Sequence, residues 1–368
     1  MEPVYQVGVA GCGMISEVYL RNLQTLFSDR LAVRGVFDRH PDRARGRAEQ
    51  FALPRVYETL EQMLCDPEID IVLDLCPPLA HYEINRQALE AGKHVYSEKP
   101  LAADAAQGAE LAGLARKKGA RLACSPDVPL GAMIQTARHL VDTGAIGRVV
   151  GASANLFKRG VESWHPNPNF LYQPGGGPLL DMGPYYLTAL LHVVGPIACV
   201  SAMDTISFST RDITSQPHYG EIIQVNVPTY VNALLRFEQG ALATFTATFD
   251  AWKTRQTCLE IYGETGTILL SDPNCFGGSI MLARPDWEFE EIPLSFPYAD
   301  NSRGLGLWEM AGAIADGAVP RTDAQYALHI LETLSAISAS AVDGMQKHLS
   351  PACGRPRPMP SCEDISKQ

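Results

Sequence analysis

At 368 residues the chain is too long for one ordinary core and suits two domains of about 100–200 residues each. A formal net charge of −11 argues against non-specific nucleic-acid binding, which draws on clustered Lys and Arg. No apolar run approaches the roughly 20 residues of a membrane span, and Met1-Glu2-Pro3 opens no basic stretch leading into an apolar core, so a cytoplasmic protein with no membrane partner is expected.

In chain order, the first part alternates strand-like and helix-like patterns. Val4–Ala10 is a Val-rich apolar run, followed by a Gly-rich turn and a helical pattern over Ile15–Phe27. Leu31–Phe37 reads as a strand, Pro41–Phe51 and Glu58–Cys65 as helices, and Ile69–Leu75 as a third strand. Tyr82–Ala91 is a helix closed by Gly92, His94–Tyr96 a strand, Ala103–Lys118 a helix and Leu122–Cys124 a strand. Strands alternating with helices of this length imply right-handed βαβ units and a parallel sheet. The pattern changes at Ser125-Pro126-Asp127. After a helix over Gly131–Thr143, the runs Gly147–Phe157, Ala198–Ser209, Tyr230–Phe237, Ala241–Phe249 and Thr257–Tyr262 are rich in Val, Ile, Thr and Phe. Glu238-Gln239-Gly240 fits a hairpin loop and Gly263–Thr267 a turn. Gly183–Val194 and Ala324–Val342 read as later helices. This half predicts an α+β domain with a large, mainly antiparallel sheet. The expected limits are 1–125 for the first domain, 126–345 for the second, and 346–368 for a Pro-rich tail lying extended over the surface.

The nine cysteines contain no C-x-x-C pair and read as reduced, mostly buried thiols. No H-E-x-x-H or Cys/His cluster is present, so no metal is expected. The most informative turn is Gly11-Cys12-Gly13-Met14-Ile15-Ser16, after a strand and opening a helix. That is the context of a dinucleotide-binding Rossmann turn. Gly11 permits the tight turn, Gly13 lets the backbone approach a pyrophosphate, and the helix start at Met14 and Ile15 offers N–H groups to the phosphates. Ser16 stands in the third glycine's place. Asp38, about 25 residues beyond Gly13, suits a carboxylate that binds the adenosine ribose, which favours NAD over NADP. Arg39 can stack on adenine or take the extra phosphate of NADP. A turn-forming role before His40-Pro41 is the plainer alternative for Asp38.

Two further segments fall at the ends of later strands, where open α/β sheets bind ligands: Cys76-Pro77-Pro78 with His81, and Glu98-Lys99-Pro100. With G-K-H-V-Y-S-E-K-P, the G-C-G-M-I-S turn and Gly175-Gly176-Gly177-Pro178-Leu179-Leu180-Asp181-Met182-Gly183, the chain from about Val4 to Ser340 resembles the glucose–fructose oxidoreductase / inositol dehydrogenase / MocA (Gfo/Idh/MocA) family. The resemblance implies an NAD(P)-dependent oxidoreductase that moves a hydride between a nicotinamide and a ring CH–OH of a sugar, glycoside or cyclitol. Lys99 would touch the reacting hydroxyl, and Asp181 would accept hydrogen bonds from vicinal hydroxyls. Cys76, Pro77, His81, Glu98 and Lys99 would line the cofactor. Where the family usually carries an acid/base histidine this chain has Tyr185, which can serve as acid or base, donate a hydrogen bond, or simply pack. His192 reads as packed.

Trp164 and His165, in a polar loop, are candidates for a carbohydrate wall, as is Arg303 in Asn301-Ser302-Arg303-Gly304. The small-molecule partner is carbohydrate-like, and the family likeness implies a homodimer or homotetramer. Two other functions stay open: redox-neutral glycoside cleavage or epimerisation through a transient keto-sugar with recycled NAD, and a non-catalytic cofactor-binding regulator.

Overall fold

The computed structural model describes residues 3–286, 288–350 and 353–365. The chain divides into two compact units, Met1–Leu130 with Asn301–Leu331, and Gly131–Asp300 with Glu332–Gln368.

The first unit runs β1 (Tyr5–Ala10), α1 (Ser16–Thr25), β2 (Leu31–Phe37), α2 (Pro41–Gln50), α3 (Leu60–Leu64), β3 (Ile71–Asp74), α4 (Pro78–Glu90), β4 (His94–Ser97), α5 (Ala105–Lys118) and β5 (Leu122–Cys124). The strands form one parallel sheet in the order β2-β1-β3-β4-β5. Every residue of β3 and β5 is buried, as expected for a sheet covered on both faces. Ala10, Met63, Val72, Leu89, Val95, Leu111 and Leu122 build much of that core. Local signals set the helix ends. Asp104 caps α5 by accepting the Gln107 N–H, and Gly119 closes it in the left-handed region. The connections reverse direction between β1 and β3, which makes the carboxyl ends of those two strands the switch point of the sheet.

The second unit begins with α6 (Ala132–Asp142), β6 (Val149–Phe157), α7 (Gly177–Val193) and β7 (Ile197–Thr205). There follow β8 (Thr210–Asp212), β9 (Ile222–Gln224), β10 (Tyr230–Phe237), β11 (Leu242–Thr248), β12 (Leu259–Gly263), β13 (Gly266–Leu270), β14 (Ile280–Ala283) and β15 (Glu290–Glu291). After α8 (Leu305–Ala315) in the first unit and α9 (Ala324–Asp343) come β16 (Lys347–His348) and α10 (Cys362–Ile365). Nine strands form a mixed sheet in the order β15-β14-β13-β12-β6-β11-β10-β7-β16. Only the β6–β11 pairing is parallel among these neighbours. Burial alternates along β10, so Val231, Ala233 and Leu235 face the core and Asn232, Leu234 and Arg236 face out. Tyr186 of α7 meets Phe245 of β11 on the inner face, with ring centroids 6.2 Å apart.

Several boundaries differ from the sequence expectation. Helix α7 starts at Gly177, not Gly183: Gly176 supplies the cap and Pro178 fits the first turn, where its missing N–H costs nothing. Helix α4 likewise starts at Pro78. Helix α8 was not anticipated, because its glycines and its nearly continuous apolar character blur the helical period. The tail is tied to the second unit at several points. Lys347 and His348 pair with β7, Met359 is buried with its N–H on Gln135 Oε1 at 2.8 Å, and Arg355 donates to the carbonyls of His192 and Val193. All nine cysteines are free thiols, but only Cys12, Cys124 and Cys199 are buried, whereas Cys65, Cys275 and Cys362 are exposed.

Candidate active site

The glycine turn follows β1 directly. The Gly11 N–H donates to Phe37 O at 2.8 Å, and the residue sits at φ +96°. A Cβ there would lie 2.7 Å from the Leu75 carbonyl, so only glycine lets the turn rest on the end of β3. Gly13 is the opposite case: a Cβ built on it meets nothing within 4 Å. That bare, open backbone is the surface a pyrophosphate needs. Ser16 does more than fill the third glycine position. Its hydroxyl donates to Gly13 O at 2.7 Å, and Arg47 braces both through Nε on Ser16 Oγ and Nη2 on Gly13 O. Ile15 makes no side-chain cap at the start of α1, and Met14 is exposed.

Asp38 directly follows β2 and is buried. Its Oδ2 accepts the Cys12 N–H and its Oδ1 the His40 N–H, both at 2.8 Å. The turn-forming role and a ligand role coexist, since each carboxylate oxygen keeps a second acceptor site. Arg39 is exposed beside it and donates to His40 Nε2 at 3.3 Å. The open Gly13, the uncapped helix start and Asp38 together fit a nicotinamide dinucleotide.

Asp74, the last residue of β3, is fully buried and accepts the Cys76 N–H at 3.0 Å. Burial pushes its carboxyl up, and the nearby His81 ring opposes that rise. His81, on α4, is also fully buried. Its Nδ1 lies 2.7 Å from Pro100 O and its Nε2 2.7 Å from Cys76 O. Pro77 is exposed, and burial raises the Cys76 thiol strongly. Burial likewise lifts Cys12 to about 12, so these two cysteines remain thiols and offer no nucleophile.

Lys99 is half-buried and precedes a cis Pro100. Its N–H donates to Glu98 Oε2 at 2.9 Å, and Glu98 Oε1 accepts from the Tyr19 hydroxyl at 2.8 Å. Tyr19 also meets Ser125 Oγ at 2.9 Å. Glu98 thus turns inward and holds main chain. One residue escaped the sequence reading. Asp127 is fully buried, and its Oδ2 accepts the N–H groups of Gly304 and Gly306 at 2.8 and 3.1 Å. It anchors the loop of Arg303, whose guanidinium donates to Asn301 Oδ1 and whose carbonyl accepts from Asn22. Burial pushes Asp127 up to about 6.

In the second unit, Asp181 and Tyr185 lie one turn apart on α7, so both side chains leave the same face of the helix. Asp181 is half-buried and inside the helix, not at its cap; Tyr185 is largely buried. Pro184 interrupts the helix ladder, and the Thr188 hydroxyl takes its carbonyl at 2.7 Å. Trp164 is exposed and meets His165 edge-on, with ring centroids 5.5 Å apart, and His165 meets Phe170 in the same way. The loop is tied down by Ser215 Oγ on His165 O at 2.6 Å. Beside it lies a buried ionic cluster in which Arg211 pairs with Glu162 and Asp250, and Glu162 also accepts the Tyr172 hydroxyl. His192 is fully packed, with Nδ1 3.4 Å from Gln135 Nε2.

A parallel five-stranded sheet with a glycine turn at its switch point, joined in one chain to a large mixed sheet, defines a two-domain nucleotide-binding protein. Residues 5–125 match the model of the oxidoreductase family with an NAD-binding Rossmann fold, and residues 134–269 match the GFO/IDH/MocA C-terminal domain. The chain belongs to the Gfo/Idh/MocA oxidoreductase family. It is 30 % identical over 226 residues to D-glucoside 3-dehydrogenase of Escherichia coli, covering 61 % of this chain and 63 % of that protein. Identity is 35 % over 186 residues with dTDP-3,4-didehydro-2,6-dideoxy-alpha-D-glucose 3-reductase of Streptomyces violaceoruber, covering 50 % of this chain and 52 % of that one. The chain therefore spans just over half to somewhat under two thirds of these curated relatives. A levoglucosan dehydrogenase solved with NADH and L-sorbose superposes with a TM-score of 0.81 at 20 % identity, over 95 % of this chain and all of that one, a likeness of fold.

Proposed function

We propose that this protein is an NAD-dependent dehydrogenase for a ring CH–OH of a sugar, glycoside or cyclitol. The observation that carries the reading is Lys99: a half-buried lysine whose N–H is fixed by Glu98, just past the end of β4, the strand beside β3 at the switch point. When bound, the nicotinamide supplies the hydride acceptor. The chain's own residues do the rest. The open backbone at Gly13 and the start of α1 receive the pyrophosphate. Asp38 accepts ribose hydroxyls, and its charge disfavours the 2′-phosphate of NADP. Lys99 Nζ takes or polarises the hydroxyl proton as the carbonyl forms. Asp181 accepts hydrogen bonds from vicinal hydroxyls, and Tyr185 Oη donates a hydrogen bond or shuttles the proton. Trp164 offers an apolar face to a sugar ring and His165 a polar group on the same loop; Arg303, on a separate loop, is a further hydroxyl-binding group. The sugar-processing relatives support the substrate class.

The test is an NAD-linked assay across sugars, glycosides, cyclitols and their keto forms, followed by nicotinamide absorbance. Turnover with none of them rejects the reading. Tyr185 in place of histidine favours one second reading, redox-neutral processing through a keto-sugar with recycled NAD. Substrate would then disappear with no net change in nicotinamide absorbance.

No helix among the described residues is long and apolar enough to cross a membrane. The outer face of the nine-stranded sheet exposes Met203, Leu234 and Leu242 beside a groove of about 590 Å³ lined by Ser153, Asn155 and Asn232. Such a patch supports a homodimer or homotetramer through this face, which light scattering tests.

A further inference from the structure

We propose that His81 is a positioning residue for Lys99, acting as a buried bridge between the main chain after β4 and the main chain after β3. Both acceptors it meets are carbonyl oxygens, Pro100 O and Cys76 O, each 2.7 Å from one ring nitrogen. A carbonyl only accepts, so a ring bonded to both donates from both nitrogens. At the Cys76 end of the bridge, the buried Asp74 carboxyl accepts the Cys76 N–H at 3.0 Å and so fixes the same stretch of main chain.

The bridge matters because of what lies at its two ends. Pro100 follows Lys99, whose own N–H is held by Glu98 and, behind it, by the Tyr19 hydroxyl. The lysine's main chain is thus held on both sides. Its side chain is long and flexible, so the reach of Nζ is set first by where its backbone stands. Cys76 is the other end, and the backbone of Leu75 and Cys76 is the surface against which Gly11 packs. His81 therefore ties the lysine loop to the floor of the glycine turn. Asn85, one turn further along α4, repeats the device by donating to Ser97 Oγ, which in turn donates to Glu98 O. A displacement of about 1 Å at a reacting group is enough to lower a rate about 100-fold.

The effect on turnover rests on the reading of Lys99 given above; the bridge itself does not. In the native protein labelled with 15N-histidine, both ring nitrogens of His81 are expected to carry protons protected from solvent exchange. A bare ring nitrogen overturns the proposal. His81→Gln and His81→Asn can each hold at most one carbonyl well. With any substrate the wild type oxidises, kcat is expected to fall at least about 10-fold while KM for NAD stays within about twofold. Acylation of Lys99 by an amine reagent, referenced to the exposed Lys117 and read by peptide mass spectrometry, is expected to change in the same variants. A raised KM for NAD with kcat intact makes His81 a cofactor contact and overturns the proposal, as do unchanged kcat and unchanged Lys99 labelling in a folded variant. If the variants do not fold, the native ring spectrum decides. If the wild type oxidises no polyol, the dehydrogenase reading fails alone, because the ring spectrum and the labelling still judge the bridge.

Discussion

The carboxylate of Asp38 accepts the main-chain N–H of Cys12 at 2.8 Å, so the residue directly after β2 also closes the glycine turn after β1. Replacing it therefore has two consequences. In Asp38→Ala the buried Cys12 N–H loses its acceptor, at about 1–3 kcal/mol, and the melting temperature falls. On the proposed ribose-binding role of Asp38, the negative charge that would disfavour the 2′-phosphate goes too, so the ratio of kcat/KM for NAD over NADP is expected to drop at least about tenfold. An unchanged ratio would remove Asp38 from the cofactor site and leave it a turn residue.

Two glycines of the same turn should separate folding from binding. Gly11→Ala places a Cβ 2.7 Å from the Leu75 main chain in a backbone at φ +96°, where nothing flexible can give way. Loss of several kcal/mol of stability, or failure to fold, is expected. Gly13→Ala meets nothing within 4 Å. Its melting temperature should match the wild type within a degree or two, while NAD affinity falls because the added methyl occupies the open backbone. Thermal unfolding and a fluorescence titration with NADH distinguish the two.

Asp127 predicts a pH effect on stability. Its folded pKa is raised from 3.8 to about 6, so the folded protein holds this proton more tightly than the unfolded chain. Stability from this group is fully present below about pH 4 and is lost as pH rises through about 6, a change on the order of 3 kcal/mol. Asp127→Asn keeps an oxygen for the Gly304 and Gly306 N–H groups and removes the charge. Denaturant unfolding at pH 5 and pH 8 should show the wild type losing stability relative to Asp127→Asn at the higher pH. A constant difference between the two proteins across that interval contradicts the assignment.

Much of the first unit was legible because its signals are local. Leu31–Phe37, a Val- and Phe-containing strand pattern, is β2 to the residue; Tyr230–Phe237 alternates and is β10. The turn from Gly11 to Ser16 declares itself through its glycines. What escaped depends on partners far away in sequence. Nothing local in Ser125-Pro126-Asp127 says that its carboxylate meets Gly304 and Gly306. Nor does residue order reveal that Asn301–Leu331 returns to the first unit. The short strands β13 and β14 are fixed by pairing with each other and with β12, and they lack length to declare a period of their own. Glu98 and His81 carried a motif, and the motif was informative about place. Their partners, Tyr19 and Pro100 O, became visible only once the chain was folded.

The ionic cluster beside the Trp164 loop gives a prediction about the second unit alone. Arg211, Glu162 and Asp250 are all nearly inaccessible, and Thr229 Oγ1 donates to Asp250 at 2.7 Å. In Arg211→Met two carboxylates lose their common cation inside the protein, at a cost of about 3–5 kcal/mol. Glu162→Gln costs less, because an amide still accepts from the Tyr172 hydroxyl and leaves no buried negative charge behind. The double variant Arg211→Met/Glu162→Gln should recover part of the loss, since one of the two stranded charges is gone. Chemical denaturation of the three proteins measures this coupling directly. Strict additivity would mean that Arg211 and Glu162 do not act as a pair. If Trp164 and His165 bind the sugar as proposed, Arg211→Met, which loosens the cluster beside their loop, should also weaken sugar binding while leaving the NADH titration unchanged.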